Sequence, residues 1–541
     1  MITIRQPRTR SPNRVATPTD KQPEARSQHY AAPIVGIVTN APLALANSQS
    51  ALILENFWPT PSGIEPRGGT QKRCTIVGSV GSFFEYRAGL TNTFFAASDN
   101  AIYAFSDTTP VDTALTAVVS GQTSADYSFL EKQTDGGSFL TVVNGQDDAQ
   151  IFDGTTWQAV TDLSTPHAIT GIETDKLEHV WGYGNRTFFI ERASMNAWYL
   201  GTNSVSGPAA KLPLAGVFNE GGTLLCGATW SADSGSGMDD RCVFATTEGE
   251  FAVYRGDPAE ATDWHLEGVY SLGRPLGKNA LMQVGGDLIV ATKSGLVPIS
   301  AAAQKDPSQL KLDALTRNLD PDWRREVILA GTAGGWWVTK WDTRNMALVA
   351  PPNSGAEQGY CFAVNLETGA WTKFTGWQID AIEVLGDSLY HGDSDGNIYL
   401  GDVGGFDDGN AFECKACLQF DHLGSPGHWK TAHAIRGTWR HQSAFTPKHT
   451  VAKDYRPDFG AAPSVPLSEA QEVAEWDASF WDQSFWAEDD RSWMVSEKWE
   501  TVSAEGKTLA PQIQVTSAQA AKLRCELISI DLLYSAGGLA L

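Results

Sequence analysis

Hairpin signals recurring at near-constant spacing constrain this chain more than any other feature. Between residue 76 and about residue 410, short runs rich in Val, Ile, Phe, Tyr and Trp are broken by Asp, Asn and Gly turns. Thr93-Phe94-Phe95 leads across Ser98-Asp99-Asn100 to Tyr103-Ala104-Phe105. Val243-Phe244-Ala245 leads across Glu248-Gly249 to Phe251-Ala252-Val253-Tyr254, and Leu389-Tyr390-His391 across Asp395-Gly396 to Ile398-Tyr399-Leu400. β-branched and aromatic runs around such turns are antiparallel hairpins. The turns near 99, 148, 184, 248, 294, 343 and 395 lie about 49 residues apart on average, and a four-stranded propeller blade repeats every ~40–50 residues. The spacing predicts an all-β chain, an irregular β-propeller of about six to eight blades, and an additional β platform domain formed from both chain ends is expected beside it. No WD or kelch signature accompanies the repeat, and a long β-sandwich is the competing architecture.

Composition narrows the function classes. The 541 residues hold 40 Lys and Arg against 63 Asp and Glu, a net charge of −23. That argues against a generally basic nucleic-acid binder. Charged residues are 19% and hydrophobic residues 42%, which is globular rather than disordered. The 52 Gly and 19 Trp favour tight turns and aromatic strands over helix bundles. No apolar run approaches the ~18 residues of a membrane span. Arg5, Arg8 and Arg10 lack a following apolar stretch, so no secretory signal is expected. Seven cysteines spread from Cys74 to Cys525 read as buried free thiols rather than a disulfide framework.

Four regions are expected. Residues 1–35 form a flexible basic arm, 36–75 the N-terminal part of a β platform, 76–410 the propeller, and 411–541 a C-terminal β region. In the arm, Arg5, Arg8, Arg10, Arg14, Lys21 and Arg26 outweigh Asp20 and Glu24, while four prolines break regular structure. It is either a solvated tail or an arm that orders on a partner's acidic surface. Arg5, Arg8, Arg10 and Arg14 are its candidate assembly contacts. Helices are few: Ala301 to Leu315, Pro321 to Ile328, and a capped start at Ser468. The C-terminal region holds a tandem five-residue repeat, Trp476-Asp477-Ala478-Ser479-Phe480 and Trp481-Asp482-Gln483-Ser484-Phe485, followed by Trp486. A period of five fits neither one helix face nor one strand face. It reads as an exposed interaction loop over about 470–500, with Trp476, Trp481 and Trp486 as candidate contacts. Together with Trp493 and Trp499 these tryptophans either stack sugars or plug an interface, or fill a small β core.

The sequence offers little catalytic chemistry. There is no G-x-S-x-G elbow, phosphate loop, dinucleotide fingerprint or H-E-x-x-H. Cys414-x-x-Cys417 is half a zinc motif, with His422, His428 or His433 to complete it, but its alternation also reads as an ordinary strand. Asp393-Ser394-Asp395-Gly396-Asn397 offers oxygens to calcium but lacks the bidentate Glu, and a hairpin turn explains the same residues. No catalytic, cofactor or metal residue is assigned, and no enzyme is expected; a propeller carbohydrate-active enzyme is the contrasting reading.

Three stretches resemble one family. They are Ser48 to Gly69, with Asn56-Phe57-Trp58-Pro59 and Arg67-Gly68-Gly69; Lys176 to Leu200, with Trp181-Gly182-Tyr183-Gly184-Asn185-Arg186-Thr187-Phe188-Phe189-Ile190; and Phe244 to Ser300, with Gly273-Arg274-Pro275-Leu276-Gly277. With the closing Tyr534-Ser535-Ala536-Gly537-Gly538 they are similar to the tail tubular protein B, or tail nozzle, family of short-tailed bacteriophages. Residues 410–500 carry no alignable motif. The resemblance implies a structural virion protein that assembles in the host cytoplasm and resides in the virion tail. It implies a homohexameric ring below an adaptor ring, contacts with tail fibres or spikes, and transient passage of double-stranded DNA. Another tail, head-completion or receptor-contact role is the runner-up. Six chains at −23 would carry about −138, and a carboxylate-lined lumen would repel phosphates and leave sliding DNA no sticking point.

Overall fold

The hairpins organise around a common axis. The computed structural model describes residues 25–41, 47–88, 91–231, 240–303, 309–331, 335–352, 359–442, 444–464 and 493–539. Among these, seven antiparallel sheets follow one another as propeller blades. Blade 1 is Ser82–Ala88, Thr91–Ala97, Ala101–Phe105 and Ala117–Ser120; blade 2 is Ser128–Thr134, Gly137–Val143, Ala149–Phe152 and Trp157–Val160. Blade 3 is Leu177–Tyr183, Arg186–Glu191, Asn196–Tyr199 and Ala210–Pro213; blade 4 is Leu224–Trp230, Arg241–Thr246, Glu250–Arg255 and His265–Ser271. Blade 5 has three strands, Leu281–Val284, Asp287–Thr292 and Gly295–Pro298, with the short helices Ile299–Ala302 and Leu310–Asp313 packed against it. Blade 6 is Trp337–Trp341, Met346–Ala350, Tyr360–Asn365 and Trp371–Thr375. Blade 7 is Ala381–Leu385, Ser388–Gly392 and Asn397–Gly401, completed by Thr70–Thr75 from far upstream.

That last pairing closes the ring. Asn397 to Gly401 pairs antiparallel with Thr75 to Thr70, so the first propeller strand is hydrogen-bonded to the last. The propeller therefore begins at Thr70 rather than at 76. Apolar wedges fill the gaps between blades. Phe84, Phe95, Leu140 and Phe152 lie between blades 1 and 2, and Val180, Phe189, Val143 and Ile151 between blades 2 and 3. Trp181, Phe188, Phe244 and Tyr254 lie between blades 3 and 4. A blade is apolar on both faces because each face meets a neighbour, which is why its strands read as near-continuous runs rather than clean alternation.

Both chain ends build the platform. One sheet holds Ala25–Ala31, Phe57–Pro59, Ile64–Pro66, Cys525–Leu539, His428–His441 and Met494–Gly506. The other holds Ala51–Glu55, Phe412–Leu418, Leu509–Ser517 and Lys448–Lys453, and continues into blade 6 where Glu55 pairs parallel with Lys373. Leu54, Phe57, Trp439, Ile513, Leu527, Ile530 and Leu532 form its core. Two expectations are corrected. The arm expected over 1–35 is a strand from Ala25 to Ala31, because Tyr30 is buried in the platform and Ala25 to Ala31 pair with Ser535 to Ser529. The loop expected to reach residue 500 gives way to regular strand at Met494, paired along its length with His428–His441.

Helix Asp320–Ala330 follows from its ends and its spacing. Pro321 sits in the first turn, where it forfeits no helical bond, with Asp320 and Asp322 beside it at the positive helix end. Trp323 and Val327, four apart, bury on one face, and Gly331 leaves the helix at φ +64°. Of the expected helix from Ala301 to Leu315, the described residues show two four-residue pieces, Ile299–Ala302 and Leu310–Asp313; residues 304–308 lie outside them.

Candidate functional site

The propeller axis holds a cavity of about 390 Å³ lined from all seven inner strands, among them by Phe83, Phe129, Trp181, Met282, Trp337 and Glu383. At ~30 Å³ per water this is room for about a dozen waters, far too little for a nucleic-acid duplex. Large aromatics line the axis, and one glycine makes room for Trp181: a Cβ on Gly227 would stand 2.4 Å from its ring. His179 bridges three inner strands, with Nδ1 3.1 Å from Ser128 Oγ and Nε2 2.8 Å from the Gly227 carbonyl. The carbonyl fixes the proton on Nε2, and burial pushes the ring's pKa down to about 4. Lys278 Nζ donates to the Asp126 carbonyl at 2.6 Å and lies 3.1 Å from its carboxylate.

Glu383, on the inner strand of blade 7, accepts from Thr339 Oγ1 at 2.9 Å and from the Val384 amide at 3.1 Å. Burial outweighs these bonds and pushes its pKa up to about 7. His391, one strand outward, is stacked between Trp377 at 5.3 Å and Tyr399 at 5.0 Å, and burial pushes it down to about 4. The two groups give stability opposite pH slopes. Folded Glu383 holds its proton up to about pH 7 whereas the unfolded chain loses it near 4.5, so its contribution declines as pH rises through that window. Folded His391 refuses a proton that the unfolded chain takes near 6.5, so its contribution declines as pH falls from 6.5 to 4. Urea unfolding should find Glu383→Gln more stable than the parent by about 2–3 kcal/mol at pH 8 and equal to it at pH 4. A pH-independent difference would mean that the Glu383 carboxyl does not titrate with folding.

Arg67 joins platform to propeller. Its Nε donates to Asn56 Oδ1 at 2.9 Å, Nη1 to the Gly68 carbonyl and Asp407 Oδ1 at 2.8 Å each, and Nη2 to the Thr375 carbonyl at 2.8 Å and Asp407 Oδ2 at 2.6 Å. Its guanidinium carbon lies 4.1 Å from the Phe412 ring centroid and 4.7 Å from that of Trp377. Beside it, a groove of about 1260 Å³ separates helix Asp320–Ala330, blade 6 and the platform. Its charges mix both signs, with Glu55, Glu326 and Glu413 among Arg325, Lys373 and Lys415.

The outer platform sheet is charged and aromatic. Register places His29, Asp531, Arg436 and Trp499 in one row across four strands. His29 Nδ1 is 2.7 Å from Asp531, Arg436 Nη2 donates to Asp531 at 2.6 Å, and the Arg436 guanidinium lies 5.0 Å from the Trp499 ring centroid. Burial raises the Asp531 pKa, but the bonds from His29 and Arg436 outweigh it and hold the carboxyl below its usual value. A second row runs from Trp493 to Arg440, 4.6 Å apart, and from Arg440 to Glu526 at 2.5 Å. Trp493 and Trp499 are 41% and 44% exposed, so these two tryptophans are surface residues rather than fillers of a small core.

Arg5, Arg8, Arg10 and Arg14 lie outside the described residues, as do Trp476, Trp481, Trp486 and the capped start at Ser468. Cys414 and Cys417 are buried free thiols on strand Phe412–Leu418. The five clustered histidines do not converge. His449 is buried against Trp439 and Glu500, His433 bonds Ser535, and His428 meets the Gly537 carbonyl. Asp393 spends its carboxylate on its own hairpin, accepting from the Asp395 and Asn397 amides, Asn397 Nδ2 and Tyr399 Oη. Sequence reading assigned no role to Arg67, Glu383 or His391, because a single Arg, Glu or His carries no mark of its surroundings.

No family model matches this chain, and no curated protein matches it. A similar solved structure is the β-propeller domain of Cps50 (Swd1) from Myceliophteria thermophila, 12% identical, covering 63% of this chain and 99% of that one at a TM-score of 0.40. Strand pairing, not that likeness, defines the blades described above.

Proposed function

We propose that this chain is a structural tail protein of a short-tailed phage, the nozzle subunit of a ring through which the genome leaves. The observation that carries this reading is where the family-like segment sits. Asn56 and Arg67, the polar ends of the Asn56-Phe57-Trp58-Pro59 to Arg67-Gly68-Gly69 stretch, bond to each other and tie the platform to Thr375 and Asp407. The residues of the resemblance are thus those on which the two bodies are joined. The narrow propeller axis is compatible with the same reading. An axial space of about 390 Å³ passes no duplex, so a conduit for DNA has to lie between copies. Electron microscopy of the purified full chain, alone and beside virion tails from the same source, tests this. A closed ring with a central channel at the distal end of the tail is the expected result. A protein that stays monomeric and is absent from virions would overturn it, and screening for glycan binding and cleavage would follow.

A further inference from the structure

The first platform sheet ends in two strands that each pair with a described strand on one side only. At one edge lies Met494–Gly506, 13 residues long and paired on one side only, with His428–His441. At the other lies Ala25–Ala31, paired on one side only, with Cys525–Leu539. A long open edge is a template for another chain, and proteins usually blunt it with proline, a bulge or several lysines. Met494–Gly506 contains no proline and one lysine, and its one bulge, where Thr501–Ala504 faces Ala432–Ala434, leaves Met494–Glu500 regularly paired. It turns apolar side chains outward instead: Val495 is 64% exposed and Trp499 44%.

The chain adjoining each edge says what covers it. Residues 465–492, which run directly into the strand at Met494, carry Glu469, Glu472, Glu475, Asp477, Asp482, Glu488, Asp489 and Asp490 against Arg491, a net of −7. Residues 1–24, which run into the strand at Ala25, carry Arg5, Arg8, Arg10, Arg14 and Lys21 against Asp20 and Glu24, a net of +3. The strands share the bias, with Glu497, Glu500 and Glu505 against Lys498 on one and Arg26 and His29 on the other. Two copies meeting through the same edge would bring like charges together. Two copies meeting through opposite edges bring the acidic and the basic segments together.

We propose that copies of this chain join head to tail, the edge of Met494–Gly506 in one copy adding to the edge of Ala25–Ala31 in the next. This rests on the ring reading above and names the surface that makes the ring. Such a contact is heterologous, so it propagates and closes into a ring when the rotation allows, whereas a same-edge contact would stop at a dimer. Backbone hydrogen bonds supply the pairing, and the outward Val495 and Trp499 lie against the incoming copy.

The test uses two full-length variants. V495K/W499K blocks one edge, and R26E/S27E blocks the other; all four side chains are exposed, so folding, checked by circular dichroism and melting temperature, is expected to persist. Mass photometry should show rings for the parent, monomers for each variant alone, and heterodimers for their mixture, since each variant keeps one good edge. Dimers from R26E/S27E alone would show a same-edge contact and overturn the proposal. Rings persisting in both variants would overturn it while leaving the nozzle reading intact, and a monomeric parent would overturn both. As a second measurement, Ser27→Cys combined in turn with Val495→Cys, Glu497→Cys or Trp499→Cys should give oxidised multimers for at least one pair. The described native cysteines are all buried and contribute no background. No cross-link at any pair would likewise count against the pairing.

Discussion

Arg67→Ala is expected to destabilise the chain by about 4–5 kcal/mol, the range of a broken buried ion pair. Arg67 is among the largest fully buried side chains, and every guanidinium nitrogen is bonded. Removing it strands the Asp407 carboxylate, orphans Asn56 Oδ1 and the Thr375 carbonyl, and empties the space between Phe412 and Trp377. Arg67→Lys should recover little, because one ammonium cannot reproduce a planar fork that spans five acceptor contacts. The measurement is urea unfolding followed by tryptophan fluorescence, with limited proteolysis to find where the chain first opens. The first cuts should fall between platform and blade 7. A loss below about 1 kcal/mol for Arg67→Ala would mean that the two bodies are held together elsewhere.

The second large effect is expected two residues on. A Cβ on Gly69 would lie 1.9 Å from the Phe406 carbonyl oxygen, a backbone atom that cannot turn aside. Around it the chain is sewn to the loop after blade 7: the Gly69 amide donates to the Gly404 carbonyl at 3.0 Å, the Val403 amide to the Gly69 carbonyl at 3.0 Å, and the Thr70 amide to the Phe406 carbonyl at 2.9 Å. These bonds start the strand that closes the propeller. Gly69→Ala should therefore cost about 3 kcal/mol, at the upper end for an overpacked site. Elsewhere in extended backbone the same change stabilises by ~0.4–1 kcal/mol through the unfolded chain, so the sign alone decides. Hydrogen exchange should show Thr70–Thr75 and Asn397–Gly401 losing protection together while blades 2 to 4 keep theirs. Uniform loss across the ring would mean that closure is no separate unit.

Much of the propeller was legible because its signals are local. Each of the seven turns read from the sequence falls in a different blade, since a hairpin needs only a few adjacent residues to specify it. The turn chemistry survives inspection, as at Gly249 and Gly396, whose φ of +97° and +82° suits glycine. The candidate site was far less legible. Trp493 and Trp499 stood out by residue type, but whether they faced core or solvent depended on which side of a sheet they took. Arg67, Glu383 and His391 carried no assigned role, because their surroundings come from segments distant in the chain: Asp407, 340 residues on, for Arg67, and Thr339, 44 residues back, for Glu383.

The sequence by itself determined that this chain is built of antiparallel hairpins, how often they recur, and that a β platform draws on both ends of the chain. Those properties follow from turn residues and from side-chain periodicity, which act over a few positions. Only the tertiary structure decided that the blades number seven, that Thr70–Thr75 closes the ring against Asn397–Gly401, and how the strands of the platform pair. Pairing between distant strands depends on which apolar faces meet once the chain has turned back on itself, and a one-residue slip in register exchanges the two faces of a strand. Local pattern cannot choose among such pairings; the complete packing of the faces does.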